Sequence, residues 1–77
     1  MLTEETKAEG RALVAAGDLT KLMPWVREQS PVGLDHALYE RTMRMCFLAG
    51  DIPKALHMHN AVFNTYDAAT ERARIRI

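Results

Sequence analysis

The sequence predicts an all-α protein of four helices arranged as two helix-turn-helix hairpins. A Gly-Asp pair occurs twice, as Gly17-Asp18 and Gly50-Asp51, and each pair suits the end of one helix and the start of the next. The residues around the two pairs also match at one constant offset, at Arg11/Arg44, Ala16/Ala49 and Lys21/Lys54. The repeated turn therefore divides a single domain, residues 1–77, into two hairpins of similar design.

The first hairpin is predicted to cover about residues 3–29. Thr3 precedes an acidic first turn and is placed to cap the first helix. Gly10 costs this helix about 1 kcal/mol relative to alanine, and close contact with another helix is a reason to keep it. Pro24 lies inside the second helix and removes one backbone donor, so we expect that helix to be kinked or split there.

The second hairpin is predicted to cover about residues 34–70, and Asp35 is placed to cap its first helix. Its first helix has two apolar sides, one formed by Leu38, Thr42, Met45 and Ala49 and the other by Tyr39, Met43, Cys46 and Phe47. A helix of this kind is buried among several neighbours or covered by a partner. The last helix shows three-four apolar spacing from Ile52 to Tyr66. The tail, residues 71–77, is either the end of this helix or an extended arm that pairs with a partner.

The composition restricts the classes of function. Ten basic and ten acidic residues cancel, so no overall field attracts nucleic acid or an anionic membrane. No apolar run approaches the roughly 20 residues that span a bilayer, and the acidic N-terminal segment does not resemble a signal peptide. The single cysteine, Cys46, excludes an internal disulfide, and we expect a cytoplasmic location. A core this small is marginal on its own, which favours a homodimer or docking on another protein.

The candidate catalytic and metal-binding residues do not form a consistent site. His57 and His59 lie about 200° apart around a helix, so they cannot hold one metal ion together. Cys46 lacks a predicted orienting group, and the glycines stand alone instead of forming a phosphate-binding loop. We therefore expect no enzymatic activity, no metal and no cofactor. His59 is expected in the core or an interface, and His57 in solvent.

The segment Ala49-Gly50-Asp51-Ile52-Pro53-Lys54-Ala55-Leu56 resembles the turn and second-helix start of a tetratricopeptide-repeat unit. Ala55 lies where that family has a small residue, and Tyr39 lies where it has a large aromatic one. The family stacks helix-turn-helix units of about 34 residues. The resemblance implies an open stack of two hairpins, whose apolar faces a second protomer or another protein would cover.

A fainter likeness is to small bacterial and phage regulators of the PerC type. It is carried by the order of five residues along the chain, namely Gly17, Trp25, Arg41, Arg44 and Cys46. This likeness implies a role linked to DNA.

Methionine and aromatic residues are more numerous than a core of two hairpins needs, and both types are common at adaptable binding surfaces. One interpretation is that they simply fill the core. The interpretation we favour is a non-enzymatic protein–protein interaction module, a small accessory or inhibitory protein that binds a partner protein through an apolar helical face. The residues predicted for that face are Trp25, Met43, Phe47, Met58 and Tyr66.

The competing interpretation is a small nucleic-acid-associated transcriptional regulator. The basic tail would supply its phosphate contacts, through Arg72, Arg74 and Arg76. The nearby Asp67 and Glu71 weaken this interpretation because they would repel phosphate.

Overall fold

The computed structural model describes residues 2–30 and 33–75, with side chains described up to Asn64. These residues form helices and short connections without a strand, which confirms the all-α prediction. The four helices found there are α1 (Glu4–Ala16), α2 (Leu19–Gln29), α3 (His36–Ala49) and α4 (Ile52–Ile75). The helical hairpins match the prediction, and α4 extends beyond residue 70. Residues 71–75 are therefore helical and do not form an extended arm, whereas residues 76–77 lie outside the described residues.

The two Gly-Asp turns are built alike. Gly17 and Gly50 adopt left-handed backbone conformations, with φ of 68° and 71°, which glycine reaches without a steric penalty. The aspartate after each glycine accepts a hydrogen bond from a backbone N–H in the first turn of the next helix. The two bonds are Lys21 N to Asp18 Oδ1, at 3.2 Å, and Lys54 N to Asp51 Oδ1, at 3.1 Å. Both predicted turns are thus confirmed.

The other two predicted helix caps are also present. Thr3 Oγ1 accepts a hydrogen bond from Thr6 N at 3.1 Å, and Asp35 Oδ1 accepts one from Leu38 N at 3.0 Å. A cap satisfies a backbone donor that has no partner inside the helix. The start of each helix is therefore fixed by local chemistry.

The predicted split at Pro24 is wrong, because α2 runs without interruption from Leu19 to Gln29. The structure also gives no confirmation of a kink. Proline removes the hydrogen bond to the carbonyl of Thr20, four residues earlier. Thr20 and Pro24 are both exposed, so water can satisfy that carbonyl and the helix continues past the proline.

The helices close into a ring instead of the open stack expected from the repeat resemblance. Each helix packs against the next along the chain, and α4 returns to pack against α1. Closure buries apolar side chains of both hairpins against each other in one core. The buried apolar residues are Val14, Leu22, Met23, Trp25, Val26, Tyr39, Met43, Cys46, Ala55 and Phe63.

Gly10 explains how α1 approaches so closely. A Cβ atom placed on Gly10 would lie 2.4 Å from the Trp25 Cη2 atom, which is far inside van der Waals contact. The indole of α2 therefore packs directly on the backbone of α1. This confirms the close contact expected at Gly10.

Candidate functional site

The two apolar sides of α3 have different environments. Tyr39, Met43 and Cys46 are buried and Phe47 is half-buried, because α2 and α4 pack on that side. The opposite side, here called the exposed stripe, consists of Leu38, Thr42, Met45 and Ala49. Leu38 is 53% exposed and Met45 is 67% exposed. The stripe has no covering helix among the described residues.

The exposed stripe has the spacing of a helix-pairing seam. Its members are separated by four, three and four residues, as are the seam positions of a coiled coil. Leu48 lies beside the stripe and is 83% exposed. Thr42 and Ala49 are small, so a second helix can approach the backbone of α3 closely.

A groove of about 300 Å³ continues from the stripe, between α3 and α4. Leu38 and Thr42 belong to both features, so they form one continuous surface. Met58 of α4, 37% exposed, is part of the lining, and buried Tyr39 and Met43 contribute too. The full lining is Leu34, Asp35, Leu38, Tyr39, Thr42, Met43, Met58 and Val62.

The groove is chemically suited to apolar side chains. Its polar side chains are few, and the Asp35 carboxylate already caps α3 through the backbone N–H of Leu38. A charged small molecule would find little to compensate its lost hydration there. Apolar side chains from a partner would instead gain by leaving water.

A buried polar pair lies beneath the groove. The Tyr39 hydroxyl and His59 Nδ1 are 2.6 Å apart, and His59 is only 2% exposed. Burial, reinforced by the positive charge of Arg11, lowers the pKa of His59 to about 4. Burial also raises the pKa of the Tyr39 phenol. Near neutral pH both side chains are therefore uncharged, and one hydrogen bond joins α3 to α4.

The aromatic side chains around this pair form the centre of the core. The Trp25 ring centroid lies 5.5 Å from that of His59 and 5.2 Å from that of Phe63. The ring centroids of His59 and Phe63 are 4.7 Å apart. Trp25 Nε1 is buried without a hydrogen-bond partner among the described residues. These rings join α2, α3 and α4 and hold the position of the groove wall.

The residues predicted to bind a partner lie in different environments. Trp25 and Met43 are buried core residues, although Met43 also contributes to the groove lining. Trp25 is enclosed because Gly10 admits its ring, and Met43 lies on the side of α3 that faces the other helices. Phe47 is half-buried against the core, and Met58 lines the groove. The Tyr66 side chain lies outside those described.

The residues predicted to contact nucleic acid are the three arginines of the tail. Arg72 and Arg74 belong to α4, but their side chains are outside those described, and Arg76 lies outside the described residues.

The exposed residues Leu38, Met45 and Leu48 are not among the binding residues predicted from the sequence. The signal that could have found them is the relative bulk of the two sides of α3. The side with Tyr39 and Phe47 carries the larger side chains and fills the core, whereas the side with Thr42 and Ala49 is left outside.

The histidines lie as expected from their spacing, with His59 buried and His57 exposed. Within the described residues, no three histidine, cysteine or acidic side chains converge as metal ligands would. His36 Nε2 instead lies 3.1 Å from Ser30 Oγ, and Cys46 is a free, buried thiol. None of the helices in the described part of the chain combines the length and apolar character needed to cross a membrane.

Comparison with protein-family models, with curated proteins and with solved structures finds no match to this chain.

Proposed function

We propose that this chain is a non-catalytic interaction module that binds an amphipathic helix of a partner protein. The observation that carries the proposal is the continuous apolar surface formed by the exposed stripe and the groove. Helix-in-groove recognition uses apolar anchors at three-four spacing, and the stripe offers the matching seam. By covering an apolar helix of its partner, the chain would act as an accessory or inhibitory protein, and we place that role in the cytoplasm.

The charges beside this surface favour one class of helix. Arg41 flanks the stripe on α3, and Lys54 lies one turn before Met58 on α4. Both are exposed, and neither forms an ion pair within the described residues. Arg44, by contrast, is paired with Glu40 at 2.8 Å. A partner helix with acidic residues facing Arg41 and Lys54 would complement these two charges, whereas a second copy of the chain would bring the same basic groups. The Asp35 carboxylate of the groove lining accepts the hydrogen bond from Leu38 N that caps α3.

The test uses two synthetic helical peptides with identical leucine seams. One carries glutamates beside the seam and the other carries lysines at the same positions. Fluorescence polarisation should give tighter binding of the glutamate peptide, and the difference should shrink as salt screens the charges of Arg41 and Lys54. Equal affinity for the two peptides would contradict the proposed charge selectivity.

A matched pair of variants locates the binding surface. Met45→Glu places a charge in the stripe and should weaken binding of the glutamate peptide at least about tenfold, which corresponds to roughly 1.4 kcal/mol. Ala12→Glu makes the same kind of change at an exposed position of α1 and should leave the affinity unchanged. Absence of binding, or equal effects of both variants, would overturn the proposal. Sedimentation that shows a wild-type dimer, abolished by Met45→Glu, would assign the surface to a second copy instead.

A further inference from the structure

Tyr39 belongs both to the groove lining and to the buried polar pair. Its side chain lines the groove between α3 and α4, and its hydroxyl lies 2.6 Å from Nδ1 of buried His59. His59 belongs to α4 and follows Met58 of the groove lining by one position. The groove wall is therefore held by a hydrogen bond to a side chain that can gain a proton.

The groups that face His59 leave an added charge uncompensated. Arg11 approaches from α1, the uncharged Trp25 indole from α2 and the Tyr39 phenol from α3, while Phe63 packs on it from α4 itself. No carboxylate pairs with His59 among the residues that the structure describes. An imidazolium formed here would be buried between aromatic rings and repelled by a guanidinium.

Protonation would also remove the hydrogen bond in its present form. Near neutral pH the Tyr39 hydroxyl can donate to Nδ1 of the uncharged imidazole. Once both ring nitrogens carry protons, Nδ1 can no longer accept, and the hydroxyl proton must find another acceptor in an apolar surrounding. Protonation therefore buries an uncompensated charge and also removes a hydrogen bond, and both effects weaken the contact between α3 and α4.

We propose that His59 is an acid-sensitive latch, whose protonation loosens α4 from α3 and opens the groove that the two helices share. A partner helix bound to the closed groove would be released on acidification. Release of a partner rests on the proposed function of the groove. The latch itself is tested without any partner, so the two proposals can fail separately.

The sign and range of the effect follow from the pKa of His59. The pKa is about 4 in the folded chain against an ordinary value of 6.5, so the unfolded chain binds the proton first as the pH falls. The stabilising effect of the neutral side chain is complete above pH 6.5 and is lost progressively as the pH falls toward 4. Between pH 7.5 and pH 4 this group alone lowers the folding equilibrium constant on the order of 100-fold.

The experiment compares the wild type with the double variant Tyr39→Phe/His59→Phe. This variant replaces both polar partners by apolar rings of similar size, which need not cost stability. Urea unfolding at pH 7.5 and at pH 4 should show the wild type losing about 100-fold more in its folding constant than the variant. Equal losses in the two proteins would overturn the latch.

Methionine-methyl and histidine NMR on the wild type provides a second readout, which decides the matter even where the double variant does not fold. The His59 ring signal should titrate with a midpoint well below 6.5, and the Met43 and Met58 methyl signals should change together with it. The exposed Met45 methyl, which does not line the groove, should not follow. A His59 midpoint near 6.5, or groove methyl signals that stay constant through the titration, would overturn the proposal.

Discussion

The two hairpins start from the same Gly-Asp turn but differ in what they leave on the surface. Among residues 2–30 and 33–64, the exposed leucine and methionine side chains all belong to the second hairpin, and they are Leu38, Met45, Leu48 and Met58. The first hairpin buries Leu22, Met23 and Trp25 completely or nearly so. The first hairpin thus supplies core and support, while the second divides its apolar residues between the core and an open surface.

The difference arises from the close approach of α1 and α2. Gly10 allows the Trp25 ring to lie against the backbone of α1, and this ring reaches on to His59 and Phe63 of α4. One side of α3 is enough to complete that core. The other side of α3 therefore has no position inside the ring of helices, and its apolar residues are available for a partner.

Replacing Trp25 by alanine should give the largest effect in this comparison. The indole is buried against α1 and α4, so we expect a loss of about 3–5 kcal/mol in the free energy of unfolding. Met45→Ala in the exposed stripe should change the free energy of unfolding by less than about 0.5 kcal/mol. Urea unfolding of both variants measures the contrast, and a small effect for Trp25→Ala would place this residue on the surface instead of in the core.

Replacing Gly10 by alanine should destabilise the chain although alanine is the better helix former. The added Cβ would meet the Trp25 ring at 2.4 Å, and the resulting overpacking should cost about 1–3 kcal/mol. Combination with Trp25→Phe, which removes part of the ring, should recover some of this loss in a double-mutant cycle. Independent, additive effects of the two substitutions would argue against the contact.

Removing either aspartate cap should cost a similar, smaller amount. Asp18→Ala and Asp51→Ala each remove one hydrogen bond to a backbone N–H, and each should lower the free energy of unfolding by about 1 kcal/mol. Thermal unfolding of the two variants in parallel measures the equivalence of the turns. A much larger loss of stability for one of the two variants would show that its aspartate has a role beyond capping.

Local chemistry made the turns and helix starts predictable. Gly17 and Gly50 adopt a left-handed conformation. The side chains of Thr3, Asp18 and Asp35 accept hydrogen bonds from backbone N–H groups a few residues away. These interactions do not depend on how the helices pack. The sequence alone therefore located them.

Features that depend on tertiary packing could not be predicted from the sequence. Both sides of α3 have the spacing of a buried side, and only the arrangement of α2 and α4 determines which one is enclosed. The pairing of Tyr39 with His59 joins residues 20 positions apart and has no local signal. The continuity of α2 through Pro24 likewise depends on the exposure of that part of the helix to water.

The most direct test of the proposed surface is a titration of the glutamate-flanked peptide followed by the methionine methyl signals of the wild type. Met45 lies in the stripe and Met58 in the groove lining, whereas Met23 is buried in the first hairpin. We expect the Met45 and Met58 signals to shift on binding and the Met23 signal to stay in place. Unchanged Met45 and Met58 signals at saturating peptide would contradict the proposed surface.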